Sequence, residues 1–161
     1  MSVLALLGGL TGASASAQSE GPEEPRYLRA VRQELERVGA EAICESEGRA
    51  RARCRLEHRA TEGDRRWPVQ VVISEQAETV TLVVLAIARF PPDEPTTERR
   101  LRHLAELNWG LHGAQLEWDP RTGVVRLSAV QRTDSNFDRR AFRVLLRLLL
   151  SQAERLTPQL R

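Results

Sequence analysis

The sequence predicts an α+β domain built on an antiparallel sheet, and three observations carry that prediction. Extended segments with period-two patterning follow one another directly, helical patterns stand singly between and after them, and no strand–helix–strand unit repeats. The predicted order is α-βββ-α-ββ-α, with the helices packed on the sheet.

The first helix begins at Pro25, where RYLRAVRQELERVG places Tyr27, Leu28, Val31, Leu35 and Val38 at helical spacing and ends at Gly39. Arg49 to Arg59 follows as a strand. Period two sends Arg49, Arg51, Arg53 and Arg55 to one face and Ala50, Ala52, Cys54, Leu56 and His58 to the other. Trp67 to Ser74 and Thr79 to Phe90 are the next strands, with turns at Glu62-Gly63-Asp64 and Glu75 to Glu78. The third is apolar on both faces from Val83 to Ile87, which predicts a central position in a covered sheet. Pro91-Pro92 ends it. Thr97 to Leu111 is the second helix, and Gln115 to Trp118 pairs with Val124 to Val130 around the turn Asp119 to Gly123. Phe137 to Leu156 is a long last helix, which Ser135, with Asp138 three residues on, can cap.

At 161 residues the chain holds one domain with a real core. All 24 basic residues are arginine, against 22 acidic residues, for a net charge of +2. A nucleic-acid binder shows a domain-wide basic excess on one face, whereas Glu57, Glu62 and Asp64 stand beside the arginine-bearing strand. That excludes nucleic acid as the expected partner and reads the arginine ladder as a solvated strand face.

Val3 to Leu10 (VLALLGGL), then TGASASA, reads as the apolar and cleavage regions of a secretory signal, cut after Ala17, although no basic residue precedes the apolar run. Eight apolar residues fall far short of the ~20 that span a bilayer, so no integral membrane segment is expected. The organisation is therefore residues 1–17 as a signal-like segment, 18–24 as a disordered linker and 25–161 as the domain, placed in the periplasm or outside the cell. In that oxidising setting the only two cysteines, Cys44 and Cys54, are disulfide candidates. A chain reversal at Glu47-Gly48 would displace them along the strand, beyond disulfide reach; a looser loop would bring them together. Cys54 and His58 lack the four-ligand spacing of a metal site.

No motif names a reaction: the histidines show no metal-protease spacing, and there is no nucleophile elbow or phosphate-cradling loop. The expectation is a protein without enzymatic activity or cofactor. The competing reading, a small-ligand site or hydrolase, would use Asn108 and His112, which fall inside the apolar arc of the second helix, with Trp109 beside them. Such polar residues more often tie a helix end to the next strand. Trp118 reads as core, and Trp109 as a helix-flank residue open to partner contact.

On the last helix the apolar side chains fill roughly 240° of arc, where a helix lying on one sheet needs only about 100° or somewhat more. The surplus is assigned to the flank of Phe142, Leu146 and Leu150, which predicts a homodimer or a bound partner helix there.

The stretch LRHLAELNWGLHGAQLEWDPRTGVVRLSAVQ, followed by the leucine-rich helix closing on LTPQL, resembles the YbjN-like domain, whose fold is similar to that of type III secretion chaperones. The resemblance rests on Leu107-Asn108, the entry to the hairpin at Gly113 and the closing helix. It implies a non-enzymatic α+β domain that pairs with itself and binds other proteins. The signal-like start, the cysteines and the arginine-studded strand depart from that pattern. The function expected is an exported module that holds a protein or peptide partner.

Overall fold

A computed structural model describes residues 24–134 and 136–161. Helix α1 (Leu28–Arg37) leads into four strands, β1 (Ala42–Ser46), β2 (Arg51–Arg59), β3 (Arg66–Ser74) and β4 (Thr79–Arg89). Helix α2 (Thr97–Trp109), the hairpin β5 (Gln115–Trp118) and β6 (Val124–Arg132), helix α3 (Arg139–Leu156) and a 3₁₀ turn (Thr157–Leu160) complete the order. The strands form one antiparallel sheet in the order β1-β2-β3-β4-β6-β5. The α+β class and antiparallel sheet are as the sequence predicts. Residues 1–23, which carry the signal reading, and Ser135 lie outside the described residues.

Strand β1 is an addition to the expected order. Only the small Ala42 and Cys44 turn inward, while its one large aliphatic residue, Ile43, faces solvent at 72% exposure, so AICES gives little apolar-in signal. Pairing to β2 and a disulfide hold it instead. The loop between the strands is centred on Arg49 rather than on Glu47-Gly48, and this shift sets Cys44 opposite Cys54 in register. The two are bonded, with Cα atoms 3.9 Å apart. The displaced register drawn from the sequence is thus corrected by a looser four-residue loop. Substituting both cysteines by serine is expected to cost about 2–3 kcal/mol from the loop-closure entropy the bond removes from the unfolded chain. The matching calorimetric fall in Tm is on the order of 10 °C, and equal melting of oxidised and reduced protein would contradict it.

Strand β4 lies centrally between β3 and β6, as its double apolarity predicts, and Val83 is buried along with its neighbours Leu82 and Val84. The register with β6 slips between Val84 and Ala88, with Ala86 at φ 51°. This bulge lets Val80, Leu82, Val84 and Ile87 all reach the helix side of the sheet. In the β5–β6 turn Gly123 has φ 69°, and a Cβ there would fall 2.6 Å from the Phe90 carbonyl oxygen, so only glycine fits.

Helix α3 starts two residues later than its apolar pattern suggests. Asp138 is extended and its Oδ1 accepts from the Ala141 amide at 2.9 Å, which caps the first turn. Phe137 folds back instead, its ring 5.8 Å from Tyr27 and 5.5 Å from Phe142.

Helix α1 packs against α3 and β1. Its buried face carries Leu28, Val31 and Leu35 and also a fully buried acid, Glu34. Arg143 and Arg139 of α3 donate to Glu34, the latter at 3.3 Å, and Arg37 approaches at 3.5 Å. Burial pushes the Glu34 carboxyl up, but Arg143, Arg37 and Arg139 together outweigh it and hold it below the ordinary glutamate value. The chain's own first helix therefore covers the α3 flank assigned above to a second copy. Phe142 is 0% and Leu146 1% exposed, and Leu150 is half-buried.

Candidate protein-binding surface

The arginine ladder of β2 stands on the face of the sheet away from the helices, and it is compensated. Arg51 and Arg53 reach Glu47, Arg55 reaches Glu45 of β1 at 2.9 Å, and Arg66 of β3 reaches Glu57 at 2.9 Å. These exposed ion pairs leave a solvated face with little uncompensated field beyond the ~8 Å Debye length at physiological salt. On the same face Glu117 of β5 accepts from Ser128, Gln115 and Arg126, and these bonds overcome its partial burial to hold its carboxyl low.

At the far edge of the sheet, α2 runs beside β5. Asn108 Nδ2 donates to the Leu116 carbonyl at 2.9 Å, and Asn108 Oδ1 accepts from the Leu116 amide at 2.7 Å. The side-chain amide thus behaves as one more strand residue and closes an edge that would otherwise present an open donor and acceptor. This is the tie between helix end and strand that its position suggested. His112 lies exposed beyond it. Replacing Asn108 by leucine leaves the Leu116 amide and carbonyl without those partners, at an expected cost of about 1–3 kcal/mol. Urea unfolding tests it; an unchanged midpoint would show that the edge needs no cap.

Trp109, next in the chain, is 93% exposed. Trp118, by contrast, is half-buried and donates from Nε1 to the Phe90 carbonyl at 3.0 Å, and Trp67 is buried at the start of β3. The loop after Trp109 runs over α3, where the space a Gly113 Cβ would take lies 3.6 Å from Leu148 and 3.9 Å from Leu145. Beyond it α3 exposes Val144 at 58%, with Ala141 exposed and Leu148 half-buried on the same strip. This strip lies on the opposite flank from Phe142, Leu146 and Leu150. The 240° apolar arc did predict a surplus. Which flank α1 would cover was not visible in it.

The remaining titratable cluster is structural. His58 of β2 stacks on Trp67 at 5.8 Å and shares a 2.9 Å hydrogen bond with Glu154 of α3, which also accepts from the Thr61 amide and hydroxyl. Burial raises the Glu154 carboxyl, and the bonds from His58 and Thr61 bring it net below its ordinary value. Among the described residues no cluster of His, Cys, Asp or Glu could hold a metal ion, and no helix is long and apolar enough to cross a membrane.

No protein-family model matches the chain, and no curated protein matches it either. Among solved structures it is similar to a chain in the crystal structure of the ExsC–ExsE complex, with a TM-score of 0.55 and 21% identity. The match covers 82% of this chain and 91% of that one. At that identity the likeness establishes a shared fold.

Proposed function

We propose that the protein is a non-enzymatic binding module of the YbjN-like, secretion-chaperone-like kind, which holds a protein or peptide partner after export. The observation that carries this reading is Trp109, 93% exposed at the end of α2, with the Val144–Leu148 strip of α3 on the far side of the Gly113 loop. Exposed tryptophan is the side chain that most often anchors protein contacts. The ExsC–ExsE structure supports the reading by the fold it shares with this chain, since it too is a complex. The mature chain, used as bait on cell-envelope material, should retain a defined partner, and Trp109→Ser should release it without lowering Tm. Capture that is indifferent to Trp109 would move the site elsewhere. A small metabolite, nucleotide or metal that raises Tm by mass action would replace this reading with a ligand-binding one.

Export and self-pairing belong to the same proposal. Intact mass of the protein from its native host should begin near Gln18, and a cytoplasmic chain retaining Met1 would end the export reading. The part of α3 that remains open for a second copy is Val144 with Leu148, since Phe142 and Leu146 are core. Sedimentation equilibrium of the mature chain against Val144→Glu decides whether it pairs there.

A further inference from the structure

A groove of about 510 Å³ lies between the end of α1, the second half of β2 and the middle of α3. Its floor is aliphatic, formed by the half-buried Val38, Ala40 and Leu150 over the buried Leu56 and Leu146. Its rim carries three arginines, Arg37, Arg59 and Arg147, against one acid, Glu57. The side chains of Arg37 and Arg59 are 63% and 62% exposed.

The charges around the groove do not cancel. Arg37 shares its carboxylate, Glu34, with Arg139 and Arg143, so three arginines face one acid. Arg59 meets Asp64, whose side chain is 94% exposed and whose ion pair is correspondingly weak. Among the described residues no acid pairs with Arg147. Glu57, the one acid in the lining, meets Arg66 in an exposed pair, which leaves three arginines of the groove against one carboxylate, and Glu154 is held by His58. His58, the one aromatic ring lining the groove, already stacks on Trp67 and leaves no platform for a nucleobase.

An aliphatic floor inside an arginine rim selects a ligand that carries carboxylates next to an aliphatic side chain, because the guanidinium fork matches carboxylate geometry. We propose that this groove seats a short acidic segment of the polypeptide partner, with a leucine-like side chain on Val38, Ala40 and Leu150 and carboxylates on Arg37, Arg59 and Arg147. The proposal rests on the protein-holding reading above and adds the chemistry of what is held.

Fluorescence anisotropy tests it with a labelled twelve-residue peptide alternating glutamate and leucine, against the same peptide with lysine for glutamate. The acidic peptide should bind and weaken as salt rises, and the lysine peptide should not bind. Arg147→Glu and Arg59→Glu, both exposed changes, should each weaken binding about tenfold or more while leaving Tm in place. Equal binding by the wild type and both variants overturns the proposal. So does failure of the acidic peptide to bind while phosphatidylglycerol vesicles sediment the protein, which would make the rim a lipid-headgroup site. Should the peptide fail while envelope capture through Trp109 persists, the groove proposal falls and the protein-holding reading stands. Loss of the Trp109-dependent capture fails that reading itself.

Discussion

Leu146→Glu is expected to leave the protein unfolded, and Phe142→Ala to cost about 3–5 kcal/mol, the range for emptying a large buried aromatic position. Both side chains are sealed in the core, at 1% and 0% exposure, and the Phe142 ring also packs tilted against Phe137. A carboxylate at Leu146 would be buried without a partner, which a domain of about 5–15 kcal/mol total stability does not survive. The apolar arc alone predicts the opposite, a soluble monomer with its helices intact. Val144→Ser, on the exposed strip, should change stability by less than about 0.5 kcal/mol. Circular dichroism with urea unfolding separates the cases: a folded Leu146→Glu protein would mean that α1 does not cover this flank.

The second large effect belongs to Glu34. Glu34→Gln keeps the shape and removes the charge that Arg37, Arg139 and Arg143 share, at an expected cost of about 2–3 kcal/mol at pH 7. The pH dependence has a fixed sign. The folded carboxyl is held below its ordinary 4.5, so its stabilisation is fully present above that value and is lost as pH falls through the folded one. Glu154 and Glu117, also held low, act in the same direction. The gap in stability between wild type and Glu34→Gln should therefore be constant from neutral pH down to about 5 and close below 4.5. A gap unchanged between pH 7 and pH 3 would show that the arginines do not depend on the charge of Glu34.

What was legible in the sequence follows the reach of each signal. Period-two and helical spacing placed β2, β3, β4, the hairpin and all three helices, because those signals are local and strong in Leu56, Val71, Leu82 and Leu149. Strand β1 was not legible, since only the small Ala42 and Cys44 turn inward while its one large aliphatic residue, Ile43, faces solvent, and its stability comes from Cys54 and the β2 ladder. Asn108 was readable as a structural polar residue, though not that it bonds both backbone groups of Leu116. The choice of buried flank on α3 depends on where α1 docks, a contact more than a hundred residues away in the chain. Glu34 gave no warning at all, since an acid on a helical apolar face looks like an error of phase until its arginines are in place.

Glu34 is separated from Arg139 by 105 residues and from Arg143 by 109. A chain made from its N-terminus therefore displays α1 long before the side chains that neutralise and cover it exist. Until α3 emerges, the buried face of α1 has only β1 to pack on and Glu34 has only Arg37. The sheet can form its hairpins one after another, but its helix face stays open until the last twenty-odd residues arrive. Completion of the core is thus a single late event, slow in the way that contacts between distant parts of a chain are slow. A chain stopped short of Arg139 would hold its strands and still lack its fold.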